Sequence, residues 1–301
     1  VEQKGDEHLS YYATAYIAEA KNAIESAFQD VRRLENPQSQ EMVKRNLMIL
    51  TAELKSPRLA SLALQRLDAK DDVIRYWAFR AVTDSAIIQQ LTSDVTRDEK
   101  TTETILTALK KRRPAETQAE MQKMLIRFCM AFDNPLARDI LLAAADTRIK
   151  AYRDWTISDE MQDVTLLTAL GNTAVLQPEP AKQVFGRKFA ELYALTIQRY
   201  LKVKDVLPKE SLEPLLAVIA EVDYTVLAKT MGVTNSGILK ALKSKNETTL
   251  KRVYEALFGD RTRPGQLATM FKFDYGKNAS GKPITTPPEL GPMPARLTSQ
   301  D

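Results

Sequence analysis

Residues Pro57 to Val82 read P-R-L-A-S-L-A-L-Q-R-L-D-A-K-D-D-V-I-R-Y-W-A-F-R-A-V. They hold two short apolar-periodic segments, Leu59 to Leu67 and Ile74 to Val82, joined across Asp68 to Val73. In the second segment Ile74, Trp77, Ala78, Ala81 and Val82 recur at three and four residues and so share one helical face. Arg75 and Arg80 fall outside that stripe. Two helices this short cannot bury both of their faces alone, so they require similar neighbours stacked on either side.

The flanking chain supplies such neighbours. His8 to Glu35 reads as one long helix with Leu9, Tyr12, Tyr16, Ile17, Ala20, Ile24, Ala27, Phe28, Val31 and Leu34 on an inward stripe. Asn36-Pro37 ends it, and a second helix runs from about Ser39 to Leu54 with Met42, Val43, Leu47, Leu50 and Leu54 inward. Ser56-Pro57 is a start signal, a capping residue followed by Pro at the first helical position. Further helices are expected at Ser85 to Leu91, Thr101 to Arg113, Ala115 to Phe132, Pro135 to Trp155 and Glu160 to Leu176. Ala181 to Leu201 carries Phe185, Phe189 and Tyr193 at spacings of four, an aromatic core stripe, and Pro208 to Met231 is one helix or a pair. Asp159, Glu160 and Asp163 read as acids decorating a helix amino end, with Asp159 or Ser158 as its cap. No run of period-two alternation argues for a strand.

Composition narrows the chemistry. Ten Gly in 301 residues leave few tight turns and few phosphate-cradling loops. With 43 basic against 39 acidic residues, the net charge of +4 is too small to imply a polyanion partner. One Cys, Cys129, excludes an internal disulfide and sits in an apolar helical run, where it reads as a small buried hydrophobe. One His, His8, leaves no mid-chain base for a triad and no His/Cys zinc site. No phosphate loop, nucleophile elbow or dinucleotide fingerprint is present. No apolar run approaches the roughly 18 to 20 residues of a membrane span. The chain begins at Val1 rather than Met, which leans the expected localisation toward export.

The segment Ile74 to Val82, an aliphatic residue beside an Arg and then small and apolar residues at helical spacing, resembles the second helix of a HEAT or armadillo-type repeat. Pro135 to Ala143 repeats the pattern more loosely. The resemblance implies an all-α fold, an irregular α-solenoid of stacked helix pairs, working as a protein-binding scaffold with no cofactor. Solenoids bind along the surface lined by one helix of each pair, which makes Arg75, Tyr76 and Arg80 candidate partner contacts. The basic run Lys110, Lys111, Arg112 and Arg113 suits the carboxyl end of a helix and is a further candidate for an acidic partner.

A second local signal spans Val226 to Leu242. It resembles a helix-turn-helix, with Ala228 small in the first helix, Gly232 at the turn, and Val233 and Ile238 between the helices. In that family the early residues of the second helix touch bases. Here these would be Thr234, Asn235, Ser236 and Lys240, with Lys243 and Lys245 able to meet phosphates. Gly237 departs from the pattern, because Gly weakens a helix interior.

From Gly259 the chain changes character. Pro264, Pro283, Pro287, Pro288, Pro292 and Pro294 accompany sparse apolar residues, a composition that cannot offset its own ordering entropy. The expected division is therefore a helical domain over residues 1–258 and an extended tail over residues 259–301, ordered against its own solenoid or a partner chain. Phe271, Phe273 and Tyr275 are the tail's candidate partner contacts. The function expected is a non-enzymatic scaffold or structural subunit with a protein partner and no small-molecule substrate. The alternative is a DNA-binding protein using residues 225–243.

Overall fold

A computed structural model of the chain describes residues 2–295 other than 235 and 245, with residues 2–10 described by their backbone path alone. Among the described residues the regular elements are all helical, and extended backbone pairs only at two isolated bridges, Gly259 with Pro264 and Lys277 with Pro283. The fold class is all-α. No helix among the described residues is long and apolar enough to cross a membrane.

The chain falls into two compact units, residues 1–138 and 139–301. This replaces the boundary expected after residue 258: the Pro-rich stretch belongs to the second unit, because side chains of that unit hold its backbone.

In the first unit α1 (Glu2–Asp30) is followed by a tight turn at Val31–Arg33, and α2 (Pro37–Glu53) starts with Pro37 as its first residue. Asn36 caps α2, its side-chain oxygen accepting from the Gln38 N–H at 2.8 Å. The pair Asn36-Pro37 thus starts the second helix as well as ending the first. Then come α3 (Ala60–Leu64), α4 (Asp72–Thr83), α5 (Ser85–Thr92), α6 (Glu99–Arg112) and α7 (Ala119–Met130). Helix α4 is the centre, packing against α2, α3 and α7. Three neighbours explain why Ile74, Ala78, Phe79, Ala81 and Val82 are all buried.

The stripe expected along α1 is only half used. Ile24, Phe28 and Val31 are buried, whereas Tyr12 and Tyr16 are 70% and 55% exposed. On α2 the inward face is Met48, Thr51 and Ala52 rather than Met42 and Leu50, which are exposed. Helix α4 packs on α2, and Met48 is fully buried.

The division between the units falls inside α8 (Pro135–Arg153). The second unit continues with α9 (Gln162–Leu176), α10 (Ala181–Val203), α11 (Lys209–Glu221), wider helical turns over Val222–Thr230, α12 (Ile238–Lys243), α13 (Glu247–Phe258) and α14 (Gln266–Phe271). Helix α10 is its spine: Phe185, Phe189, Leu192, Tyr193, Leu195 and Ile197 are buried, and α9, α11 and α14 pack on it. The aromatic stripe is core.

The Gly- and Pro-rich stretch is held by hydrogen bonds to its backbone. The Gln198 amide of α10 donates to the Pro288 carbonyl at 3.0 Å and accepts from the Leu290 N–H at 2.9 Å. Lys202 donates to the Leu290 and Gly291 carbonyls, and the Trp155 indole also donates to Gly291 at 3.2 Å. A stretch without a core of its own is ordered by helices that have one. Upstream, α14 lies so close to α10 that a Cβ on Gly186 would sit 2.6 Å from the Phe271 Cβ. At the corner before it, Gly259 adopts φ +108°, where a Cβ would also strike the Thr285 carbonyl.

Two expectations follow. Gly186→Ala adds up to about 1 kcal/mol of helix propensity but forces Phe271 to shift, an overpacking cost of about 1–3 kcal/mol. The net effect expected is lower stability in urea denaturation, with amide protection lost first over residues 266–271. Asp260 accepts from the Thr262 hydroxyl and from the Thr262 and Arg263 N–H groups, which hold its carboxyl down at about 2. The folded value lies below the unfolded one, so this stabilisation is present above about pH 4 and lost as pH falls through about 2. Hydrogen exchange at the Thr262 and Arg263 amides should accelerate over that window, and Asp260→Asn should flatten the dependence.

Candidate partner-binding surface

Helix α4 begins with Asp71 as its cap, the carboxylate accepting from the Ile74 N–H at 2.9 Å. Arg45 of α2 grips the same carboxylate at 2.5 Å, and this contact, with the backbone bonds, holds Asp71 below the usual carboxylate range. The start of α4 is therefore fixed, and with it the rotation of the helix.

That rotation sorts the residues expected to face a partner. Arg75 is not on the surface, a correction to the groove expected for it. It is 8% exposed, and its guanidinium donates to Glu116 at 3.0 Å, to Asp72 at 2.5 Å and to the Ala69 carbonyl at 2.9 Å. Burial alone would disfavour its charge, but Asp72 and Glu116 more than offset this and raise its pKa. Glu116 also accepts from Arg112 at 3.2 Å and from the Gln118 N–H at 2.9 Å. Arg112 is thus drawn out of the basic run and under the helix end. Lys110 and Lys111 lie exposed on the last turn of α6, and Arg113 is half-buried in the turn that follows. Sequence offers no signal for Glu116, because a partner 41 residues away is visible only once the helices pack.

Tyr76, Trp77 and Arg80 remain at the surface of α4, all three half-exposed. The Tyr76 and Trp77 rings meet edge-on with centroids 5.6 Å apart, and the Arg80 guanidinium lies 4.8 Å above the Trp77 ring. Glu53 of α2 reaches Arg80 at 3.5 Å. Trp77 was expected on the buried stripe. It is displaced to the surface because Arg75 and Phe79 take up the buried arc.

The aromatic residues assigned to the tail do other work. Phe271 is buried against Gly186, Phe273 packs edge-on against Tyr275, and the Tyr275 hydroxyl donates to the Phe258 carbonyl at 3.0 Å. They join the C-terminal stretch to its own unit. Tyr275 also lines a groove of about 820 Å³ with Asp146, Lys150, Lys188 and Glu191. Within it Lys188 lies 2.8 Å from Asp146 and 3.0 Å from Glu191.

In the segment resembling a helix-turn-helix the second helix starts at Ile238, not near Thr234. Gly237 just before it has φ +68°, a left-handed conformation that breaks the helix at the residue already noted as a departure. Thr234 and Ser236 consequently lie in the connection, the Ser236 hydroxyl donating to Asp223. Lys240 and Lys243 are exposed on the six-residue α12, while Asn235 and Lys245 lie outside the described residues.

Asp163 is likewise no decoration. It is fully buried, bound by Arg148 at 2.6 and 2.9 Å and by the Tyr152 hydroxyl at 2.7 Å. Burial raises its pKa, and the two donors work against that rise. Arg148 also donates to the Ser158 carbonyl at 2.9 Å, fixing the loop between α8 and α9. Glu160 meets Arg199 at 3.0 Å. Cys129 is buried, and burial pushes its thiol far above the ordinary range, away from nucleophilic use. Among the described residues no group of three or more His, Cys, Asp or Glu side chains comes together in a metal-binding arrangement.

No protein-family model matches this chain, and neither does any curated protein or solved structure. The surface is read from its geometry.

Glu116→Gln should cost several kcal/mol of stability, about 3–5, because it leaves the Arg75 and Arg112 charges under the helix without their shared carboxylate. Paired replacement by Arg75→Met with Glu116→Leu should recover only the part of the loss that Arg75 contributes, since Arg112 still lacks its carboxylate. Urea denaturation midpoints of the three proteins check both outcomes.

Proposed function

We propose that this chain is a non-enzymatic interaction scaffold, an irregular solenoid of stacked helix pairs that binds a protein partner through the outer face of α4. One observation carries the reading: the Tyr76–Trp77 pair beneath Arg80, half-buried at the surface of the helix that the rest of its unit packs around. Trp, Tyr and Arg are the residues that dominate interface energetics, since they bury large area while losing little rotamer freedom. Here the rings and the guanidinium already hold one another, so little ordering remains to be lost on binding. Arg80 is met by Glu53 at 3.5 Å, longer than a charge-assisted hydrogen bond, which suits a partner presenting a carboxylate beside an apolar side chain.

The non-enzymatic part is supported by how the acids and bases are used. Glu116 and Asp163, the most deeply buried carboxylates, are saturated by arginines, and the sole Cys is inert by burial.

The test is affinity capture from the native source with the wild-type chain, Trp77→Ala and Arg80→Glu, each shown by circular dichroism to be folded. A specific protein retained by the wild type and lost, or weakened by about tenfold or more, with both variants is the expected result. Equal retention by all three would show that α4 is not the binding face.

A further inference from the structure

Arg66, half-buried in the link between α3 and α4, departs from the pattern of Arg75 and Arg148. Its guanidinium carbon stands 3.5 Å from the centre of the Phe28 ring. Its Nη1 donates to the Leu62 carbonyl at 2.7 Å and to the Gln65 side-chain oxygen at 3.3 Å. Stacking and these bonds fix the plane of the group. They occupy neither Nε nor Nη2, the edge that meets two oxygens of an oxyanion side by side. Arg148 uses that same edge on Asp163, at 2.6 and 2.9 Å. Among the described residues no carboxylate forms an ion pair with Arg66. Burial accordingly lowers its pKa, with Glu25 opposing only from a distance, whereas carboxylate partners raise those of Arg75 and Arg148.

Arg66 lines a pocket of about 490 Å³ together with the buried Phe28 and Ile74, Lys44 of α2, and the exposed Lys70. Glu41 and Asp71 line it too, but both are already held. Glu41 lies 2.6 Å from Lys44, and Asp71 takes Arg45 at 2.5 Å while capping α4. Lys70 forms no ion pair among the described residues, so Arg66 and Lys70 share one pocket without a counter-charge. The link that presents Lys70 is fixed on both sides. Arg75 donates to the Ala69 carbonyl at 2.9 Å, and Arg45 grips Asp71.

We propose that this pocket binds a phosphate dianion, free or carried by a small phosphomonoester. The Nε and Nη2 of Arg66 grip two of its oxygens, and Lys70 and Lys44 reach the remaining charge. The number of cations selects phosphate over carboxylate. A carboxylate is satisfied by one guanidinium edge, as Asp163 is by Arg148. A phosphate with about two charges and three acceptor oxygens has use for the lysines as well. The pocket is also within the size range of small-molecule sites, which leaves room for the group that carries the phosphate. Tyr76, Trp77 and Arg80 take no part in it, so the inference is independent of the α4 surface.

Isothermal titration calorimetry on the full chain tests this, with inorganic phosphate, glycerol 3-phosphate and acetate injected at constant ionic strength. At least one phosphate should bind with a dissociation constant of about 1 mM or tighter, and acetate at least about tenfold more weakly. Tighter binding of glycerol 3-phosphate than of inorganic phosphate identifies a phosphomonoester as the ligand, and the reverse identifies the free ion. Arg66→Lys keeps the charge and loses the two-pronged edge, so it should weaken phosphate binding by about tenfold or more. Lys70→Ala should do so by about threefold to tenfold, and its exposure spares the fold if Arg66→Lys proves unfolded by circular dichroism. Lys100→Ala, exposed on α6 away from the pocket, should bind as the wild type does. Absence of heat with both phosphates, acetate binding as tightly as phosphate, or Lys70→Ala matching the wild type would overturn the proposal.

Discussion

Each unit carries a buried arginine that an apolar core tolerates because a carboxylate meets it. Arg75 under α4 meets Glu116, and Arg148 on α8 meets Asp163. The two arrangements are alike in kind. In both, a helix-borne guanidinium takes a carboxylate from a later segment and also donates to a loop carbonyl, Ala69 in one case and Ser158 in the other. A buried charge unmatched in this way would cost several kcal/mol, so the joints between helices are held to the one geometry that satisfies it. The rotation of α4 follows from this, and with it the choice of which residues reach solvent.

That choice sets the exposed face of α4. Arg75 and Phe79 occupy the buried arc of α4, so Trp77 is turned outward beside Tyr76 and Arg80. On α1, Tyr12 and Tyr16 stack on each other and are 70% and 55% exposed. Helix α10 buries an unbroken run from Phe189 to Ile197.

The C-terminal stretch shows how composition and order part company. Gly and Pro deprive residues after 258 of a core, yet Gln198, Lys202 and Trp155 capture their carbonyls one by one, and Phe271 enters the space that Gly186 leaves open. Low hydrophobicity predicts disorder only for a segment that must order itself.

Sequence by itself determined the helical class, the Pro-marked joints, the aromatic core of α10 and the inert burial of Cys129, because all of these depend on spacing within one turn or on local capping. Only the tertiary structure decided which side of α2 and α4 faces inward, that Arg75 and Asp163 are core residues, that Gly237 ends the likeness to a recognition helix, and that Phe271 belongs to its own unit. Periodicity shows that a helix has an apolar face, but not how many neighbours will share it. A third neighbour on α4, or a missing one on α1, changes what is buried without changing a single local interval, and a pair 41 residues apart leaves no trace in either partner's surroundings.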